Sequence, residues 1–353
     1  MSSKLRRLSM AALAVMLALP VFGSATGVSP QRAEAKPKQR FTDLKKVPKP
    51  KITGAEIIEG LEEFVAAYPL RHSVLSDTPV GDGIPASEFL AEEAKKHGFK
   101  VRTIIYEGAG QAGKDIRVVE AVKKGTKKPN EWIAFIAHYD NVAGGGVTIE
   151  GAYDDGSGTN MLRYFGKAFS KVKTDRSIAL LWFDAEETGL LASKRYAKEL
   201  KEEGKIKIHA GMGFDMVGIG YPARYCICVY HGPLDAPLAE PIIDYVHFDF
   251  LKYPEGDGGP AATEKWPLGT EGHVCSCGPN IRNSDESSFA AEGWFTMRWT
   301  GMRTAADYPG YHQPWDTVDF MELVAGGRDI LEEGTENTFK AAYYATHVLD
   351  KLP

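Results

Sequence analysis

The chain has 353 residues, with 42 Lys+Arg against 47 Asp+Glu and a formal net charge of −5. Charged residues make up 25% and hydrophobic ones 43%, an ordinary globular balance that excludes a mainly disordered or collagen-like chain. The mildly acidic balance excludes a nucleic-acid binder that works through a strongly basic surface, and four cysteines are too few for a disulfide-built scaffold.

The N-terminal stretch reads as an address rather than as part of the fold. Lys4, Arg6 and Arg7 precede an apolar run from Met10 to Phe22, which is shaped like a secretory signal and too short for a spanning helix. Gly23-Ser24-Ala25 and Ala33-Glu34-Ala35 both resemble cleavage sites, so the signal occupies residues 1–35 with cleavage near 25 or 35. An uncleaved anchor and twin-arginine export are the alternatives, and the absence of any Cys before Cys226 excludes a lipid-anchored lipoprotein. Residues 36–51 are basic, contain prolines and lack periodicity, and form a flexible leader. A mature chain from Lys36 carries 38 Lys+Arg against 46 Asp+Glu, a net −8. No second apolar run of about 18 residues follows, so the expectation is a secreted, extracellular protein with no stable membrane association after signal removal.

From residue 52 onward, helices and strands alternate. Ile57, Ile58, Leu61, Phe64 and Val65 recur at helical spacing over 54–68, and 86–97 is a second helix closed by Gly98. Strands are predicted at 100–106, 116–123 and 132–137, then a helix at 157–170. Residues 176–183 are almost continuously apolar, as in a parallel sheet covered on both faces. An amphipathic helix over 188–203 follows, then strands at 208–214 and 225–230, helices near 235–250 and 285–292, a strand at 294–299, and helix over 319–349 broken at Gly326-Gly327. Such alternation predicts an α/β fold, a doubly wound, mostly parallel central sheet with helices on both faces, in one domain over 52–353.

Cys226 and Cys228 lie in a strand-like stretch, Cys275 and Cys277 in the Gly/Pro-rich segment 253–280, which reads as a long loop. Outside the cytoplasm the default is disulfide pairing. Residues two apart on one strand are poorly placed to bond, so pairing across the two segments is favoured, with a four-cysteine zinc site and free thiols as alternatives.

The chemistry concentrates where apolar strands stop. His138 and Asp140 end one, Asp154 and Asp155 lie in GAYDDGSG, and Asp184, Glu186 and Glu187 in FDAEETG. Asp215 follows a fourth strand, and Tyr311, His312 and Asp316 lie in YHQPWDT. Each piece alone has a bland reading: a structural histidine, a turn, the solvated start of a helix. Together they form five segments, separated by 16, 33, 28 and 97 residues from His138 through Asp154, Glu187 and Asp215 to His312. Open α/β sheets bind ligands beyond the carboxyl ends of their strands. Acids crowded there repel one another unless a divalent cation neutralises them, and imidazole with carboxylate suits zinc.

This set resembles the two-zinc exopeptidases typified by secreted bacterial aminopeptidases, a family related to glutamate carboxypeptidase II and the glutaminyl cyclases. The resemblance rests on HxD, GAxDDGSG, EExG, DMxG and YH, with NSDESSF similar to a further family segment, and covers about residues 54–350. It implies a metallo-aminopeptidase with two Zn2+ per chain acting on peptide substrates with a free N-terminus. It implies that Asp154 bridges the zincs, that His138 and Asp215 complete one shell, and that Glu187 and His312 complete the other. It further implies Glu186 as general base, Tyr311 as donor to the developing oxyanion, and Asp140 as the group that orients His138. No nucleic-acid partner is expected, and a monomer is. The alternatives are a single-zinc glutaminyl cyclase, a larger peptidase with an inserted dimerisation domain, and a non-catalytic binding module on the same scaffold. Arg298 and Arg303 are candidates for binding a terminal carboxylate. Trp266, Phe289, Trp294, Trp299 and Trp315 are candidates for lining a side-chain pocket.

Overall fold

The computed structural model describes residues 47–71, 85–144, 147–219, 226–232, 235–246, 273–278, 283–301 and 307–353. The signal expected in 1–35 and most of the leader lie outside the described residues, as do Trp266 and Arg303. Among the described residues no helix is long and apolar enough to cross a membrane.

Helix α1 runs Gly54–Ala67 and starts at a reciprocal cap. The Thr53 hydroxyl accepts from the Glu56 amide at 3.2 Å and the Glu56 carboxylate accepts from the Thr53 amide at 3.2 Å, which satisfies two donors that a helix start leaves open. Its buried face is Ile57, Ile58, Leu61, Phe64 and Val65, the face picked out by the sequence spacing. Helix α2 follows at Ala86–Lys96, then strands β1 (Lys100–Tyr106), β2 (Ile116–Lys123) and β3 (Lys128–His138). A two-residue ladder, β4 with β5, joins Ala143–Gly144 to Val147–Thr148. The order continues α3 (Ser157–Phe169), β6 (Arg176–Phe183), α4 (Leu191–Glu203), β7 (Lys207–Phe214), β8 (Cys226–His231), α5 (Ala236–Tyr245), β9 (His273–Gly278), α6 (Glu286–Ala291), β10 (Thr296–Thr300), α7 (Val318–Ala325) and α8 (Arg328–Lys351). Gly326, at φ +93°, ends α7 in a conformation that costs a glycine nothing.

Among the described residues, eight strands form one sheet in the order β1-β2-β6-β3-β7-β10-β8-β9. The central run β6-β3-β7-β10 is parallel, as is β8 with β9, while β1, β2 and the β10–β8 contact are antiparallel. This is the mostly parallel, helix-covered sheet that the alternating pattern predicts.

Two differences have clear causes. Strand β9 lies within the segment read as a loop: HVCSCG is short and flanked by Gly and Pro, yet pairs in parallel with β8 and places Cys275 opposite Cys228. Helix α4 begins at Leu191 rather than 188, because Leu190 at φ +60° breaks the helical path.

Side-chain alternation along the strands feeds two apolar layers. On β3, Ile133, Phe135 and Ala137 join the layer under α1, α3 and α8, whereas Trp132, Ala134 and Ile136 face α4 and α6. Strand β6 is buried at all eight positions, which explains its unbroken apolar run. Phe339 of α8 is 0% exposed and stacks on Phe165 of α3 with centroids 4.8 Å apart. Phe339→Ala should therefore leave a cavity and cost ~3–5 kcal/mol of unfolding free energy. Denaturant titration checks this; a loss below ~1 kcal/mol would mean that the helix layer closes over the gap.

Candidate metal centre

The parallel strands deliver their acids and histidines to one end of the sheet. His138 is the last residue of β3, Asp184 to Glu187 follow β6, and Asp215 follows β7. Asp154 lies in the turn Ala152–Gly156 that leads into α3, and its peptide to Asp155 is cis. His312 comes from the segment before α7 and is 33% exposed, whereas His138 is buried.

Asp154 lies between the two histidines. Its Oδ1 is 3.3 Å from His138 Nε2, and its Oδ2 is 3.2 Å from His312 Nε2. His138 Nε2 also lies 4.0 Å from Asp215 Oδ1, and His312 Nε2 lies 3.1 Å from Glu187 Oε2. Ligand-type atoms of His138, Asp154 and Glu187 fall within 4.8 Å of one another, and so do those of His138, Glu186 and Asp215. All five sequence-predicted metal ligands are thus brought together, with Glu186 beside them.

The donor set fits a cation. Asp154 Oδ2, Glu187 Oε1, Asp215 Oδ1 and His312 Nε2 are buried without a hydrogen-bond partner, a costly condition for groups that nothing neutralises. Burial works against the charge of every member. It raises Asp215 with help from Asp154, and it raises Glu187 to about 7, again with Asp154 adding. Asp154 itself overcomes burial and is held at about 2 by His138 and His312. Burial also disfavours the imidazolium of His312, yet Asp154 and Glu187 push it up to about 10. His138 rises well above its ordinary value against the same penalty, through Glu186, Asp140 and Asp154. A field that draws protons onto the buried His138 and the half-buried His312 is one that a divalent cation satisfies equally well.

Asp140 orients this group. Its Oδ1 lies 3.4 Å from His138 Nδ1, and its carbonyl oxygen lies 3.1 Å from the same nitrogen. Its two carboxylate oxygens accept the Glu186 and Glu187 amides at 3.0 and 3.3 Å. One buried carboxylate thereby contacts the His138 imidazole and holds the backbone of the EE pair. Burial first, then Asp285 and other acids, raises Glu186 well above the ordinary carboxylate range. Tyr311 stacks on the His312 ring with centroids 3.7 Å apart.

Several predicted residues have other roles. Asp155, adjacent to Asp154, caps α3: its Oδ1 accepts from the Gly158 amide at 2.8 Å and from Met216 at 3.3 Å. A Cβ on Gly158 would lie 2.2 Å from Phe214 O, so the second glycine of GSG is required by packing. Arg298 lies over the Tyr230 ring at 5.0 Å, and its charge acts on Glu286 and Asp215. Phe289 and Trp299 are core, Trp294 lies against Phe289, and Trp315 is 50% exposed.

Sequence reading assigned no role to Arg71, which is 1% exposed. It donates to the carbonyls of Tyr139, Tyr68 and Gly151, each at 2.8 Å, while its amide donates to Asn141 Oδ1 at 3.0 Å. Its segment after α1 carries no motif, so no local signal marks it. Asp285 and Glu286, in NSDESSF, are buried with all four carboxylate oxygens unpartnered.

Fold and site together define a doubly wound sheet with an acid and histidine cluster suited to a cation at its carboxyl edge. Residues 117–326 match Peptidase family M28, and the chain belongs to that family. It is 33% identical over 208 residues to Aminopeptidase YwaD of Bacillus subtilis, a match that covers 56% of this chain and 39% of that protein. Among solved structures it resembles the LapA aminopeptidase of Legionella pneumophila (TM-score 0.62, 20% identity, 86% of this chain and 71% of that one). It also resembles a Bacteroides thetaiotaomicron glutaminyl cyclase (TM-score 0.58, 16% identity, 87% and 100%). The structural likenesses establish the fold.

Zinc added to chelator-treated protein should raise the thermal midpoint, with a stabilisation of ~2.7 kcal/mol at a free concentration of ~100 Kd. Asp154→Ala should abolish the response. Differential scanning fluorimetry reads both, and a wild-type midpoint indifferent to zinc would contradict a cation site here.

Proposed function

We propose that the protein is a secreted zinc-dependent aminopeptidase that hydrolyses N-terminal residues from peptides. The observation that carries this reading is the position of Asp154, with one oxygen directed to His138 and the other to His312. In this reading Asp154, His138, Asp215, Glu187 and His312 would hold two zincs, with Asp154 contributing to both. Zinc held there would supply Lewis-acid polarisation of the scissile carbonyl and a water of lowered pKa.

The chain's own residues do the rest. Glu186 takes the proton of the attacking water as the carbon–oxygen bond forms, then gives it to the leaving amine as the carbon–nitrogen bond breaks. Asp140 holds the Glu186 amide and so fixes the base relative to His138. Tyr311 donates to the oxyanion of the tetrahedral intermediate. An acid-rich site receives a free α-ammonium, whereas a carboxypeptidase needs a cation for the terminal carboxylate. Arg298, the candidate among the described residues, is already occupied by Tyr230 and neighbouring acids. The names carried by the Bacillus and Legionella proteins support the same choice.

Export, a leader over 36–51, a catalytic domain over 52–353 and a monomeric state belong to the same proposal. The signal-like start and the state of Cys228 support export. Cys228 is buried and its neighbour in register is Cys275, which supports a disulfide between the two cysteine segments.

The test combines metal content with activity. Protein with about two zincs per chain should cleave aminoacyl-arylamides and lose activity to a chelator, with recovery on zinc. Pyroglutamate formation from an N-terminal Gln peptide would move the protein to the cyclases, whose fold it shares. Glu186→Gln should keep its zinc and lose at least ~100-fold in kcat. Unchanged turnover in the zinc-loaded variant would remove Glu186 from the role of base.

A further inference from the structure

The turn that presents Asp154 has backbone donors that neither a helix nor the sheet uses, and one residue takes three of them. The Ala152 amide donates to the Asp316 carbonyl oxygen at 3.1 Å. The Tyr153 amide donates to Asp316 Oδ1 at 3.0 Å, and the Asp154 amide donates to Oδ2 at 3.1 Å. Tyr308 OH also donates to Oδ1, at 3.0 Å. Asp316 is 0% exposed and stands four positions after His312 on the same segment. The residue that fixes the backbone of Asp154 is therefore anchored to the segment that carries His312.

We propose that Asp316 is a positioning residue that sets the spacing of the two metal subsites by locking the Asp154 turn to the His312 segment. This rests on the two-zinc reading above. A carboxylate is required because both oxygens face N–H groups. An asparagine in either orientation directs its own NH2 at one of them, and the turn must shift. A shift there changes the distance from Asp154 to His312 without removing any ligand. Groups that hold metal ligands in place typically cost 10–100-fold in metal affinity when altered.

The measurement is calorimetric zinc titration of chelator-treated full-length protein. Asp316→Asn, folded by circular dichroism, should bind at least one zinc ~10-fold or more weakly than wild type. Phe339→Ala, destabilised far from the site, should keep wild-type zinc affinity. If Asp316→Asn binds both zincs as wild type does, the proposal is overturned. Equal weakening in Phe339→Ala would overturn it too, because general destabilisation would then suffice. If Asp316→Asn does not fold, Asp316→Glu carries the test: one added methylene displaces both acceptors and should weaken zinc likewise, and unchanged affinity would overturn the assignment. Wild-type protein that takes up no zinc would instead overturn the metal reading, and this inference with it. That outcome is distinct from the failure of Asp316 alone.

Discussion

The site depends on one electrostatic constraint, the shared carboxylate of Asp154. A buried acid held at about 2 against desolvation needs positive charge on both sides. His138 and His312 supply it from positions 174 residues apart, one from the central strand β3 and the other from the segment before α7. The remaining acids are arranged around that line. Asp215 lies on the His138 side and Glu187 on the His312 side, and each is pushed upward by burial and by Asp154. A cluster with this much unbalanced negative charge is stable only with cations, whether protons on imidazoles or a metal between them. The parallel sheet makes such crowding achievable, because each strand ends at the same edge and contributes a residue without a long excursion of backbone.

Beneath the cluster, the supporting residues are held mainly by main-chain partners. Arg71 is fully buried, and its guanidinium spends its donors on three carbonyls. Burial lowers it to about 10, while Glu150, Asp316, Asp140 and Asp155 act in the opposite direction. It thus serves as a fixed positive charge under the acids and as a brace between the end of α1, the Tyr139 backbone and the start of the Asp154 turn. Asn141 extends that brace, accepting from the Arg71 amide and donating to Ile149 O at 2.7 Å. Three non-glycine residues in the left-handed region, Ala185, Met216 and His312, lie in or next to the ligand segments. Such backbone costs on the order of 1–3 kcal/mol each and persists where surrounding contacts over-determine it.

What the sequence made legible follows from period and position. The helices of the apolar layer are readable because their buried faces recur at helical spacing, as Ile57 to Val65 do in α1. Strand β6 is readable because burial on both faces removes polar alternation. Asp154, Glu187 and His312 stand out only as members of the whole set of acid- and histidine-bearing segments, whereas His138 and Asp215 are readable because each directly follows an apolar run. Strand β9 is not, because six residues among glycines and prolines give no period, and only pairing with β8 makes them a strand. Arg71 is hidden for a different reason: its partners are carbonyl groups 68 and 80 positions away, and main-chain acceptors leave no side-chain pattern. Asp155 shows the limit of motif reading. It adjoins the shared carboxylate, yet its geometry is that of a helix cap.

Glu186 and Glu187 show how one turn separates two tasks. Adjacent carboxylates on a regular strand would point to opposite faces, and on a helix they would be splayed by ~100°. Here the chain leaves β6 through Ala185 at φ +60°, and both following amides bind the Asp140 carboxylate. That turn lets consecutive side chains enter one crevice at different points. Glu187 reaches His312, and Glu186 falls in with His138 and Asp215. A shared anchor on two successive amides fixes the offset between Glu186 and Glu187 more firmly than side-chain packing alone. Asp140 therefore contacts the His138 ring and holds both amides of the Glu186-Glu187 pair. A single buried carboxylate thus ties the orientation of His138 to the placement of Glu186 and Glu187.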